Sequence, residues 1–219
     1  MEFGGIGNSR CTGGVFMTEL PIYPSPPESP PGPALVVLGR FQPFHRGHAH
    51  MVKSAEIWRS TNAEELPLLI AIGSSNRSES MQNPWAVDER KSMLEAWLQG
   101  RDFTAQIVAI PDIEDPPRWV SHAEQYHGVA GTFFTTDPNS AELYKSSGWP
   151  VVLGETEQRE SFEGWRVRAT AEMISTVSDH GAVRNVLSPS VPDSVISYLL
   201  ENDSIRRLAF LGEGGEPVG

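Results

Sequence analysis

Cysteine is nearly absent from this 219-residue chain. Cys11 stands alone, which excludes an internal disulfide and fits a reducing compartment. Lysine is almost as scarce, occurring only as Lys53, Lys91 and Lys145, and 17 basic residues face 28 acidic ones for a net charge of −11. That deficit argues against wholesale binding to nucleic acid or to an anionic membrane surface. No apolar run approaches the length of a membrane span, and the N-terminus lacks the charged-then-apolar pattern of a secretory signal. A cytoplasmic protein is expected. Two common nucleotide grips are also missing: no G-x-G-x-x-G follows a strand, and no G-x-x-x-x-G-K-[ST] occurs.

What is present divides into three stretches. Residues 1–33 are rich in glycine and then in proline (Pro21, Pro24, Pro26, Pro27, Pro30, Pro31 and Pro33). Such a segment buries too little apolar surface to offset its ordering entropy, so a disordered tail is expected. Nothing before Met17 has a structural signature, which makes Met17 a candidate start. Residues 34–202 read as one α/β domain. Strands are expected at 34–38, 68–73, 103–110, 131–135 and 151–153. Helices are expected from His48, then at 86–98, 118–126, 140–146, 167–177, 182–187 and 192–200, with Ser190 capping the last. Strands alternating with helices predict a parallel sheet covered on both faces, with ligands beyond the carboxyl ends of its strands. The tail 203–219 carries no signal.

The most informative stretch is Gly39-Arg40-Phe41-Gln42-Pro43-Phe44-His45-Arg46-Gly47-His48, directly after the apolar run Ala34–Leu38. It is a strand, a turn and a helix start. The first turn of such a helix offers unpaired N–H groups and a positive dipole end to phosphate. Gly47 lets backbone approach closely, and His45 and His48 can donate to phosphate oxygens. A zinc site from His45, His48 and His50 is disfavoured, because His48 and His50 point to different sides of a helix and no cysteine lies nearby. Arginine, meanwhile, collects near the motifs: Arg40, Arg46, Arg77, Arg90, Arg118, Arg166 and Arg168. An acidic body with local arginines suits a small polyanionic ligand.

The string resembles the opening of the archaeal-type nicotinamide mononucleotide (NMN) adenylyltransferases, G-R-[FM]-Q-P-F-H-x-G-H, within the nucleotidylyl transferase superfamily. The likeness continues through Gly73, Ser74, Ser78, Pro84, Trp85, Glu89 and Arg90, then Asp112, Ile113, Trp119 and Val120, then Gly164, Val167 and Arg168. It departs at Glu79, where relatives often carry histidine. In Phe162-Glu163-Gly164-Trp165-Arg166, it departs again where Glu163, Trp165 and Arg166 stand for serine, threonine and glutamate. A carboxylate at position 163 is electrostatically unfavourable beside a triphosphate.

The resemblance implies a Rossmann-like nucleotidyltransferase fold and adenylyl transfer from ATP to NMN, giving NAD and pyrophosphate. It implies that His45, His48 and Arg168 act at the reacting phosphates. Gly39, Arg40, Phe41, Gln42, Gly47 and Gly164 would then bind ATP, and Asp112, Ile113 and Trp119 would form the NMN pocket. Mg²⁺ would come with the nucleotide rather than from a protein cage. A homo-oligomer, commonly a hexamer, is implied as well. Two alternatives stay open: a transferase of the same fold with another phosphate acceptor, and a nucleotide-binding regulator without turnover, which Glu163 and Trp165 motivate.

Overall fold

The computed structural model describes residues 20–155 and 163–211; Cys11, Met17 and Phe162 lie outside them. Five strands form one sheet in the order β3-β2-β1-β4-β5: β1 (Ala34–Gly39), β2 (Leu68–Ile72), β3 (Gln106–Ala109), β4 (Gly131–Thr135) and β5 (Val151–Leu153). Every pairing is parallel. The central strands are apolar at nearly every position because both faces are covered.

Alternation along β1 and β2 splits the core in two. Leu35, Val37, Leu68, Ile70 and Ile72 pack beneath α1 (Arg46–Asn62), α2 (Val87–Leu98) and the C-terminal helices, together with Trp97, Val195 and Leu199. Ala34, Val36, Leu69 and Ala71 face the opposite side. There they meet Tyr126 of α3 (Trp119–His127) and Tyr144 of α4 (Pro138–Ser146). The C-terminal helices are α5 (Gly164–Met173), α6 (His180–Leu187), α7 (Asp193–Glu201) and the short α8 (Leu208–Leu211). No described helix is long and apolar enough to cross a membrane.

Several expected boundaries move. The third strand begins at Gln106 rather than Phe103, because Phe103 turns its ring edge-on to Trp97 instead of pairing. Helix α5 starts at Gly164 and stops at Met173, short of Val177; the Ser175 hydroxyl donates to the Glu172 carbonyl and competes with the last turn. Asp179 caps α6, which starts at His180, two residues before the expected start. Ser190 does not cap α7. Its amide closes a turn onto Leu187, and Pro192 holds the cap position.

The flanks differ more. Residues 20–33 lie against the domain rather than forming a tail, and their carbonyls accept hydrogen bonds from Ser75, Asn76 and Tyr126. Prolines restrict the free segment, so less entropy is lost on docking. The domain also continues past residue 202. Ile205 and Leu208 are buried, and Arg207 pairs with Glu89 at 2.7 Å across 118 positions of sequence.

Candidate active site

Strand β1 lies between β2 and β4, so the chain diverges to opposite sides on leaving it; this is where open parallel sheets form a crevice. The histidine turn occupies that point. His45 is the N-cap of α1, and His48 is the third residue of the helix. Each ring accepts the other's backbone amide, His48 N–H to His45 Nδ1 and His45 N–H to His48 Nδ1, both at 3.4 Å. The rings stack with centroids 3.6 Å apart.

That reciprocal cap fixes the protonation pattern. Burial, helped by the Arg168 charge, pushes the His45 pKa down to about 4. Burial, then His45 and Arg40, also lower His48, outweighing the opposing pull of the Pro43 backbone. Both rings are therefore neutral near pH 7. Since Nδ1 accepts on each ring, the remaining proton sits on Nε2, so each ring carries one N–H donor.

Helix α5 brings the matching half. Arg168 Nη1 donates to the Gln42 carbonyl at 2.8 Å, which ties the helix to the turn. At Gly164, the first residue of α5, an added Cβ would lie 3.8 Å from His45 Nε2 and 3.3 Å from Arg168 Nη1. Gly164 and Arg168 thus converge on His45, although 119 and 123 positions separate them from it in sequence. Burial and the nearby Arg40 lower the Arg168 pKa, as expected for two cations sharing a site. Neither arginine has a carboxylate partner among the described residues. Donors and cations without carboxylate partners suit a bound anion. No three His, Cys, Asp or Glu groups gather as a metal site among the described residues.

The side chains of Phe41 and Gln42 are buried beneath the turn. Phe41 is fully buried, at φ +52°, with its ring edge-on to His48 at 4.8 Å. A Cβ at Gly39 would lie 2.8 Å from that ring, so Gly39 leaves room for Phe41. The buried Gln42 amide grips Trp85 both ways, Nε2 to the carbonyl at 2.8 Å and Oε1 from the amide at 3.1 Å. These side chains are the floor of the site. Left-handed backbone recurs at Ser74 and Glu114, so the turns after β1, β2 and β3 each hold one strained non-glycine residue.

Arg90 carries a role the sequence did not reveal. It is 1% exposed and donates to the carbonyls of Arg40 (2.8 Å), Gly73 (2.9 Å) and Ser74 (3.2 Å), locking the turns after β1 and β2 together. Burial and Arg40 lower its pKa to about 10, so it remains a cation. Its only signal was the Glu-Arg pair at a helix start.

Asp112, Ile113 and Trp119 follow β3, two strands from β1 and so about 10 Å across the sheet. Asp112 is paired with Arg77 at 2.6 Å, and its backbone is bracketed by Asn76. Burial alone would raise its carboxyl pKa, but the Arg77 and Glu114 hydrogen bonds hold it below the ordinary range. Trp119 is half-buried at the start of α3, edge-on to His122. Glu163 is turned sideways, accepting from Trp165 Nε1 (2.8 Å) and Arg166 Nε (3.1 Å), with the Arg166 guanidinium over the Trp165 ring. Its charge is partly compensated, which reduces the conflict expected at this position.

The cytidylyltransferase-like family matches residues 36–114. The nicotinamide-nucleotide adenylyltransferase of Halorubrum lacusprofundi is 29% identical over 176 residues, covering 80% of this chain and 91% of that protein. The enzyme of the same name from Methanocorpusculum labreanum is 30% identical over 172 residues, covering 78% and 92%. Among solved structures, a bifunctional NMN adenylyltransferase/ADP-ribose pyrophosphatase from Francisella tularensis shares the fold, with TM-score 0.57 and 20% identity. That likeness covers 81% of this chain but only 52% of the bifunctional one, about half its length. With a relative 30% identical over nearly its whole length, the chain belongs to the nicotinamide-nucleotide adenylyltransferase family.

Proposed function

We propose that this protein transfers the adenylyl group of ATP to NMN, forming NAD and pyrophosphate. An NMN phosphate oxygen attacks the α-phosphorus, the bond to the β-phosphate bridging oxygen breaks, and pyrophosphate leaves. The protein need supply only position and charge stabilisation. The observation that carries the reading is the pair of neutral, mutually capped histidines beside Arg168 at the start of α5. His45, His48 and Arg168 would hold the phosphates at the reacting centre. Arg40 would clamp the triphosphate, and Gly47 and Gly164 would let it approach backbone. Gly39, Phe41 and Gln42 would shape the turn.

Asp112, Ile113 and Trp119 would form the acceptor side. A pyridinium stacks well on an indole face, and the contacts of Asp112 with Arg77 and Asn76 hold this segment in place. Mg²⁺ would enter with ATP and supply charge neutralisation at its phosphates, because the residues around the grip are donors rather than oxygen ligands. A homo-oligomer in the cytoplasm completes the proposal. The compensated carboxylate of Glu163 weighs against a regulator that has lost turnover.

The test is NAD formation by purified protein with ATP, Mg²⁺ and NMN, read by a coupled dehydrogenase. Turnover with NMN is expected. Tight ATP binding without NAD would favour the regulator, and turnover only with another phosphate acceptor would favour the related transferase.

A further inference from the structure

The segment of residues 20–32 crosses the turns that follow β2 and β3. Three of its carbonyls take side-chain donors: Pro21 from Asn76 Nδ2 (2.8 Å), Tyr23 from Ser75 Oγ (3.2 Å) and Pro24 from the Tyr126 hydroxyl (2.9 Å). Its far end is anchored as well. The Pro31 carbonyl sits so close to Gly128, at φ +91°, that no Cβ fits there.

Each donor leads to the acceptor side. Asn76 spends the rest of its amide on the Asp112 backbone, at 2.8 Å to the carbonyl and 2.7 Å from the amide. The Tyr126 ring packs on His122 at 5.2 Å, and His122 packs edge-on to Trp119 at 6.2 Å. His122 Nε2 also bonds the Pro111 carbonyl, one residue before Asp112. The segment therefore reaches Asp112 through one side chain and Trp119 through two. The contacts of the phosphate grip run through Gln42, Trp85 and Arg90, and Arg90 meets the turn that carries Ser75 only at the backbone carbonyls of Gly73 and Ser74.

We propose that residues 20–32 form a strap that positions the acceptor loops, so that the strap with Ser75 and Tyr126 sets affinity for the nicotinamide nucleotide and leaves the ATP grip unaffected. This rests on the assignment of the acceptor to Asp112, Ile113 and Trp119. Proline serves such a strap well, since a restricted free segment loses less entropy on docking.

Two full-length variants test it by steady-state kinetics. Ser75→Ala with Tyr126→Phe removes two strap bonds and keeps the Asn76–Asp112 link. Pro26→Gly with Pro27→Gly loosens the strap at exposed positions that no described hydrogen bond uses. KM for NMN should rise roughly tenfold in the first and roughly fivefold in the second, with KM for ATP and kcat within about twofold of wild type. An unchanged KM for NMN in both variants, or an equal rise in both KM values, overturns the strap. If the wild-type protein makes no NAD, the acceptor reading fails first and this inference falls with it.

Discussion

Replacing His45 by asparagine separates two jobs that one imidazole performs. The Asn side-chain oxygen is a strong N-cap and can still accept the His48 amide, but it carries no titrating group and no donor at the Nε2 position. His45 is 5% exposed, with its pKa lowered from 6.5 to about 4. The unfolded chain therefore binds this proton at a higher pH than the folded one does. Stability from keeping the ring neutral is fully present above pH 6.5 and is lost as pH falls towards 4, to a total of about 3 kcal/mol. At pH 5.5 the loss is about 1.4 kcal/mol. The stacked rings titrate as a pair, so the variant reports the pair's first protonation. Urea melts at pH 7.5 and 5.5 should show wild type losing about 1.4 kcal/mol more than the variant, roughly 0.7 M in midpoint. At pH 7.5 the two should agree to within about 1 kcal/mol, while kcat falls roughly 10²-fold. Equal acid sensitivity would refute the neutral pair, and near-normal turnover would refute the donor role.

Arg90→Met should leave the carbonyls of Arg40 and Gly73 without their buried donor, costing roughly 3 kcal/mol; thermal melts should show Tm lower by about 6–12 °C, and an unchanged Tm would remove Arg90 as the clamp. Gly39→Ala drives a methyl into the buried Phe41 ring, so a loss of about 1–3 kcal/mol is expected by urea denaturation, with turnover reduced because His48 leans on that ring. Glu163→Gln cuts an exposed ion pair and should change stability by less than about 0.5 kcal/mol and KM for ATP by less than about threefold; a tenfold fall in kcat would place Glu163 in the reaction.

Period and punctuation made the sheet legible: short apolar runs such as Leu68–Ile72 and the Gly100 stop after α2 leave little choice of element. His45 and His48 were visible because a strand end, a glycine and two histidines fell within ten residues. Their link to Arg168 and Gly164 was visible only through resemblance, since no local pattern joins residues more than a hundred positions apart. Arg90 was noticed as one of the arginines near the motifs, but not as a clamp, because buried arginines bonded to carbonyls look, in sequence, like solvated ones. Residues 20–33 were misread for a related reason. Proline content describes a free segment, whereas here the donors that hold it, Ser75, Asn76 and Tyr126, lie 52 to 102 residues away.

The central claim is that the histidine turn and Arg168 hold ATP for attack at its α-phosphorus. The most direct measurement uses ATP labelled at the α-phosphate, with NMN and Mg²⁺, and follows both products. The label should pass into NAD, with one unlabelled pyrophosphate released per NAD formed and the rate falling roughly 10²-fold in His48→Ala. Label remaining in ATP or appearing in free AMP, or a His48→Ala protein with near-normal turnover, would contradict the account.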